Sequence, residues 1–501
     1  MADSPPISSD KNRYTLTLFL SVSLFLSVVF LSNRRYLQQS LDDFFPPVHP
    51  QTLTPPPPPP SLLLRKPNPA ADDEESEARS VAADVKKNIT AAAIVAVEAA
   101  VLKDVDSGAA NRSDSAAAAA ASEIASSSPD AGFGSGGREE ERERVMRDGL
   151  NDCDLYMGSW VRDDDYPIYK PGSCEYVDEA FDCQGNGRPD ADYLRWRWKP
   201  HGCDLPRFNA TDFLERLRGK KLLLVGDSMN RNQFESILCL LREGLPDKTR
   251  MLEISGHKIT KGRGSYIFKF LDFNCSVEYA LSHYLVKEGS RVNGQGNSNP
   301  TLSIDQVDKT SKKWKRADII VFNTGHWWRH RKTSRGVNYY KEGDYLYPHL
   351  DVTEAYRRAL QTWGRWIDQN LNTSKQLVFY RGYSSAHFRG GDWDSGGSCY
   401  NEKEPVLNDD GAIVNSYPAK MKVVEEVIAG MKFPVRLLNV TRLTNFRKDG
   451  HPSVYRKSSS TNSSIKVVQD CSHWCLPGVP DAWNELIYAN LILKLPSSND
   501  T

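Results

Sequence analysis

The first 150 residues of this 501-residue chain contain no cysteine; all nine cysteines lie from Cys153 onward. Any disulfide framework therefore belongs to the C-terminal part. Excess charge is also missing, because 64 basic residues balance 64 acidic ones. Composition thus shows no basic footprint for nucleic acid, and no such partner is expected. No Walker loop, GxGxxG fingerprint, HExxH or DxD motif stands in the context its chemistry needs. Those absences argue against a phosphate-cradling loop, a zinc hydrolase and a metal-dependent nucleotide-sugar transferase. Neither a metal nor a bound cofactor is expected. There is no internal repeat. The stretch from Tyr14 to Ser32 lacks charge altogether.

That uncharged run of 19 residues is mostly Leu, Val, Phe and Ser, and it is long enough to cross a bilayer. Lys11 and Arg13 precede it and Arg34 and Arg35 follow, so charge asymmetry does not set its orientation. No small-x-small site precedes Asn33, which favours a retained anchor over a cleaved signal. Eight sequons, at Asn88, Asn111, Asn209, Asn274, Asn372, Asn439, Asn462 and Asn499, join the cysteines in requiring a lumenal C-terminus. The expected organisation is a single-pass type II membrane protein. Residues 1–13 form the cytosolic tail, 14–32 the anchor and 33–148 a disordered Pro/Ala-rich stem. The six prolines of Pro55 to Pro60 stiffen that stem, and its alanine tracts lack an apolar face large enough for a core. Residues 149–206, rich in Cys, Tyr, Trp, Gly and Pro, read as a stapled, loop-rich subdomain. Residues 207–496 carry the main domain.

Lys220 to Leu241 read KKLLLVGDSMNRNQFESILCLL. Leu222 to Val225 form a short apolar run, the pattern of a buried strand. Gly226 and Asp227 break it. Phe234, Ile237, Leu238 and Leu241 then fall at helical spacing. A serine between a buried strand and a helix sits at the sheet's carboxyl edge, where open α/β folds keep their sites. Free N–H groups and the positive dipole end there stabilise an oxyanion. Ser228 is therefore placed as a nucleophile, with capping of the helix as the plainer alternative. A serine hydroxyl is weak without a base. Far downstream, Asp470-Cys471-Ser472-His473 sets an acid three residues before a histidine, a spacing at which the acid bonds one ring nitrogen and leaves the other free.

Further strands are expected at Ile319–Asn323, Leu377–Tyr380 and Val435–Val440. Helices are expected at Arg231–Leu241, Val352–Asn370, Ala419–Ala429 and Trp483–Leu493. Alternating strands and helices imply a mostly parallel sheet covered on both faces. The stretch from Gly289 to Pro300 reads as a polar loop. Asn323, at a strand end on the same edge as Ser228, is a candidate oxyanion donor or a turn residue. His326 and His330 stand four apart, but with no Glu after the first they make a weak metal pair; His326 is rather a candidate substrate contact. Trp327 and Trp328 suit stacking on sugar rings, or core packing. Arg329, Arg331, Lys332 and Arg335 form a basic run suited to an acidic polysaccharide or to donor phosphates, or simply to solvent. Arg231, three residues after Ser228, is a further substrate candidate; Arg381, His387 and Arg389 are weaker ones.

Gly226-Asp227-Ser228 with Asp470-x-x-His473 resembles the plant trichome-birefringence-like family, polysaccharide O-acetyltransferases of the GDSL/SGNH-esterase (PC-esterase) type, and its founding subgroup most. The resemblance runs from about Asn151 to Leu495. It includes Asn186 to Asp190 (NGRPD), Tyr193 to Pro200 (YLRWRWKP), Asn323 to Trp328 (NTGHWW) and Tyr380 to Gly391 (YRGYSSAHFRGG). It implies an SGNH-hydrolase-like sheet, Ser228 as nucleophile, His473 as base, Asp470 as its orienting acid and Asn323 in the oxyanion hole. The family's glycine block has no counterpart that can be placed here, which leaves the Ser228 N–H as the second donor. The resemblance further implies disulfides Cys153–Cys203, Cys174–Cys239, Cys183–Cys475 and Cys399–Cys471, with Cys275 left over. It also implies a Golgi membrane location, an acetyl donor such as acetyl-CoA, and a cell-wall polysaccharide acceptor, with xylan and pectin among the options. Two alternatives stay open: a non-catalytic protein that bridges pectin or other wall polymers, and a polysaccharide acetyl-esterase.

Overall fold

The computed structural model describes residues 135–392, 395–407, 414–456 and 469–495. The expected anchor at 14–32 lies outside them. Among the described residues no helix is long and apolar enough to cross a membrane. The first element is helix α1 (Ser135–Asn151), so the C-terminal end of the expected spacer is helical. Glu143 explains part of this: it pairs with Arg147 one turn on, at 2.8 Å, and with the buried Arg216 at 2.9 Å.

The loop-rich segment that follows contains one antiparallel pair, β1 (Gly158–Arg162) with β2 (Trp196–Pro200). Helix α2 (Ala210–Arg216) leads to β3 (Lys221–Gly226) and helix α3 (Ser228–Glu243). Then come β4 (Met251–Glu253), β5 (Ser265–Phe270), β6 (Cys275–Leu281), β7 (Val286–Val292), β8 (Ser298–Val307), β9 (Ile319–Phe322), β10 (Tyr340–Glu342) and β11 (Tyr345–Leu346). Helix α4 (Val352–Asn370), β12 (Leu377–Arg381), helix α5 (Ala419–Ala429), β13 (Arg436–Leu438), the short helix α6 (Thr441–Asn445) and helix α7 (Val479–Lys494) complete the chain.

The main sheet has seven strands in the order β13-β12-β9-β3-β6-β5-β4. The five from β13 to β6 run parallel, and β5 and β4 are antiparallel to their neighbours. Strand β3 lies at its centre and shows why an unbroken apolar run was needed. Leu222 and Leu224 face one core with Phe234 and Ile237 of α3 and Trp483 and Leu486 of α7. Leu223 and Val225 face the other with Ala359 and Trp363 of α4 and Val423 of α5. Both faces are thus covered, as parallel sheets require. A second sheet, ordered β11-β10-β8-β7, corrects the expected loop at 289–300: most of it is the β7–β8 hairpin. Its polar residues are exposed, and backbone pairing alone makes them a strand.

The parallel arrangement brings the ends of β3, β9 and β12 to one edge. The segments leaving that edge are Asp227-Ser228, Asn323 to His326 and Gly382 to His387.

Candidate active site

The turn after β3 is built by close contacts. Asp227 caps α3, its Oδ1 accepting the Met229 N–H at 2.9 Å. Asn323 clasps the same turn from β9: its Nδ2 donates to Asp227 Oδ1 at 2.8 Å, and its Oδ1 accepts the Asp227 N–H at 3.2 Å. No side chain fits at 226, because a Cβ there would lie 1.8 Å from Asn323 Oδ1. This is the reason for glycine. Ser228 is the first residue of the helix and half-buried.

The loop before α7 brings the histidine. His473 Nε2 lies 2.7 Å from Ser228 Oγ and accepts its hydrogen. Its Nδ1–H donates to Asp470 Oδ2 at 2.8 Å. Asp470 Oδ1 accepts the N–H groups of Ser472 and His473, both at 3.1 Å. Burial works to raise the Asp470 pKa, but His473 and those N–H groups win and hold it well below the usual carboxylate range. An ionised Asp470 fixes the tautomer in which Nε2 is free to take a proton.

The loop is fastened on several sides. Disulfides join Cys183 to Cys475 and Cys399 to Cys471. Trp474 exchanges two hydrogen bonds with Asn232 of α3, and its indole N–H donates to Ser384 Oγ at 2.8 Å. The ring of Phe181, from the loop-rich segment, packs 5.4 Å from His473. The other two disulfides, Cys153–Cys203 and Cys174–Cys239, hold that segment to itself and to α3; Cys275 is free and buried.

His326 is another titratable group at this edge. Its Nε2–H donates to Ser384 O at 2.8 Å, and its ring stacks on Tyr383 at 4.3 Å. Its Nδ1 is buried without a partner, 3.9 Å from an equally unpartnered Asp227 Oδ2. Burial pulls its pKa down to about 3 against the attraction of Asp227, so the ring is neutral near pH 7. It does not form a metal pair with His330, which is exposed; among the described residues no group of metal-ligating side chains occurs.

The remaining candidates separate. Trp327 is half-buried, 3.9 Å from the His283 ring and beneath Lys332. Trp328 is not a sugar platform. It is 1% exposed, its N–H donates to Thr324 Oγ1, and it packs among Tyr284, Tyr340 and Tyr356. Arg231 is not at the pocket either: it is buried between Asp178 at 3.1 Å and Glu235 at 2.7 Å, against the Phe181 ring. Arg329 remains at the site's margin, bonded to Asp392 and to the Tyr383 hydroxyl. Arg381 is buried under Trp483, and Arg389 is exposed and pairs with Glu402.

A cavity of about 440 Å³ opens beside this edge, walled by Arg329, Tyr383, Ser385, His387 and Phe388. Its floor is the segment after β12 that bonds both His326 and Trp474. Phe181, Tyr383 and His451 were missed in the sequence. Phe181, two residues from Cys183, carried no motif of its own; the expected Cys183–Cys475 disulfide was the signal that could have pointed to it.

The arrangement can deprotonate a hydroxyl at Ser228, store the proton on His473 and pass it on. Residues 205–490 match the PC-esterase family, described as a GDSL/SGNH-like acyl-esterase family found in Pmr5 and Cas1p, and residues 151–204 match the PMR5 N-terminal domain. The chain is 53% identical over 355 residues to protein trichome birefringence of Arabidopsis thaliana, covering 70% of this chain and 58% of that protein. It is 50% identical over 364 residues to trichome birefringence-like 1 of the same plant (72% and 65%) and 48% identical over 356 residues to trichome birefringence-like 4 (70% and 78%). The aligned part thus spans less than two thirds of the first two relatives. With both domain patterns present in sequence and relatives this similar over most of the folded part, the chain belongs to the trichome birefringence-like family of PC-esterase-domain proteins.

Proposed function

We propose that this protein is a polysaccharide O-acetyltransferase working through an acetyl-serine. The observation that carries the reading is the continuous hydrogen-bonded line from Ser228 Oγ through His473 to Asp470. His473 takes the Ser228 proton as Oγ attacks the donor's acetyl carbonyl. The oxyanion is held by the Ser228 N–H at the positive end of α3 and by the amide hydrogen of Asn323 not used on Asp227. The tetrahedral adduct expels the donor's leaving group, which takes the proton from His473. A sugar hydroxyl then gives its proton to His473 and attacks the acetyl-serine, and Ser228 recovers its hydrogen as the sugar ester leaves. Acetyl-CoA is the proposed donor. The acceptor is a cell-wall polysaccharide lying along the Tyr383–Phe388 wall of the cavity, with Arg329 at its rim. The reading includes the lumenal, type II placement in the Golgi membrane through residues 14–32.

A second reading, acetyl-ester hydrolysis, is favoured by the 23% exposure of the His473 side chain, which admits water as acceptor. One assay separates them. The protein is incubated with labelled acetyl donor and bare oligosaccharides, or with acetylated polymer and water. Transfer that Ser228→Ala and His473→Ala abolish, with the fold intact, is the expected result. Release of free acetate alone would favour the hydrolase, and full activity in both variants would end both readings.

A further inference from the structure

A second pair of histidines, unused by the proposed chemistry, lies against the loop of His473. His387 follows β12 and His451 follows α6. Their rings meet through His387 Nδ1 and His451 Nε2, 2.7 Å apart. Both outer nitrogens face carbonyl oxygens. His387 Nε2 is 3.1 Å from Asn445 O, and His451 Nδ1 is 2.7 Å from His473 O. His387 also donates its backbone N–H to Cys471 O at 3.0 Å, and the His451 ring stacks on Trp474 at 4.1 Å. The pair therefore grips the backbone on either side of Ser472.

Counting hydrogens decides what the pair can do. A carbonyl oxygen only accepts, so each outer nitrogen needs an N–H to bond it. The bond between the rings needs a third. Two neutral imidazoles bring only two. A neutral pair must leave one of the three contacts as two facing lone pairs, whereas one added proton completes all three.

We propose that His387 and His451 form a proton-dependent brace positioning the His473 loop: one proton taken up by the pair links Asn445 O, both rings and the His473 carbonyl into a single chain. Its effect on rate rests on the acetyl-transfer reading; its hydrogen bonding does not. The proton comes from solvent at His387, which is half-buried and borders the cavity. Around His387, Asp449 and Glu402 favour the proton and Lys448 opposes it. Asp449 is already paired with Arg447, and Glu402 with Arg389 and Lys448. Around His451, Asp470 favours the proton and His473 opposes it, while Arg188 donates to the His451 backbone oxygen. Burial outweighs these and pulls both imidazoles below the ordinary histidine range. The brace therefore closes on acidification and opens as pH rises through that lowered value. Opening of the brace therefore gives the rate profile an alkaline limb, a fall to a lower plateau rather than to zero.

The test uses the full chain from about pH 4 to 8, reaching below the range of about 5 to 8 in which histidines ordinarily titrate. Loss of one buried hydrogen bond predicts that wild-type kcat falls about five- to tenfold along the alkaline limb. His387→Asn, whose amide donates to His451 Nε2 at every pH, should lose that limb. His387→Leu, with no donor, should sit at the low rate throughout. NMR of the wild-type protein labelled with ¹⁵N-histidine should show the pair releasing one proton with the limb's midpoint. An unchanged limb in His387→Asn, or a pair that holds two protons across the whole range, would overturn the brace. A titrating pair in a protein that transfers no acetyl group would leave the brace standing and fault the acetyl-transfer reading instead.

Discussion

Replacing Asp481 and Glu485 with their amides should make the protein less sensitive to alkaline pH. The two carboxyls sit one turn apart on α7, buried against α3 and the loop-rich segment. Asp481 Oδ1 accepts the Ser236 hydroxyl at 2.5 Å and the Tyr169 hydroxyl at 3.2 Å, and its Oδ2 accepts the Gly478 N–H at 2.8 Å. Glu485 bonds the Tyr166 hydroxyl, and its second oxygen is buried without a partner. Burial pushes both to about 7. In the unfolded chain they titrate near about 4. Between about pH 4 and 7 the folded state therefore holds protons that the unfolded state has released, so these groups lower stability as pH rises. Three units correspond to about 4 kcal/mol for either group alone, and less than twice that for the coupled pair. That is a large share of the roughly 5–15 kcal/mol a domain has.

The sign has to be separated from other groups in the same window. His326, His387 and His451 have lowered folded values, so their contribution is present above the ordinary histidine value and is lost as pH falls through the folded one. They oppose the carboxyls. Asp470 has a depressed value, and its contribution disappears only in stronger acid. The diagnostic is thus the difference between wild type and Asp481→Asn/Glu485→Gln in urea unfolding with disulfides intact. It should change by several kcal/mol in favour of the double variant from about pH 4 to 7, then level off. A difference constant to within about 1 kcal/mol over that window would refute the argument.

Other outcomes follow from single contacts. Asp470→Asn should lower kcat by about 10³–10⁴, because an amide no longer enforces the Nδ1–H tautomer; a loss under tenfold would show that something else orients His473. Phe181→Ala should cost about 3–5 kcal/mol in urea unfolding and slow transfer, since the buried ring packs on both His473 and Arg231; a cost below about 1 kcal/mol would contradict its packing. In peptide mass spectrometry of the protein expressed through a secretory pathway, glycans should occupy the exposed Asn274 and Asn372 but not Asn439. The Asn439 amide donates to Tyr417 while its oxygen is buried, so full occupancy there would mean that this face opens.

Where local pattern decides structure, the sequence was legible. The apolar run before Gly226 marked β3, and three-to-four spacing marked α3, α4, α5 and α7; α4 and α5 bury one stripe, whereas α3 and α7 are buried on nearly every side. Strands β5 to β8 were not seen. Strand β5 does alternate, with Tyr266, Phe268 and Phe270 buried, and was open to being read; in β7 every residue after Val286 is exposed, and its pairing is set by its neighbour. The same limit applies to single side chains. Trp327 and Trp328 are adjacent and chemically alike, and only the turn after Gly325 sends one to the surface and the other into the core. Arg231 stood at a plausible spacing from Ser228, yet its partner Asp178 lies more than fifty residues earlier. His451 carried no motif, because its role depends on a carbonyl that only the folded loop presents.

The two matched segments do not divide the labour into a catalytic part and an accessory. Phe181 packs on the His473 ring, and Cys183 ties the segment 151–204 covalently to the residue two beyond His473. That link closes a separation of 292 residues, worth roughly 5–6 kcal/mol in the chain-entropy account. Tyr166 and Tyr169 satisfy the buried carboxyls of α7, and Asp178 shares Arg231 with Glu235. Without the N-terminal segment, α3 and α7 would keep a carboxyl pair and an arginine in a newly exposed seam, and the His473 loop would lose a covalent anchor and its aromatic neighbour. The Ser228–His473 distance is therefore set as much by residues 151–204 as by the sheet that carries the serine.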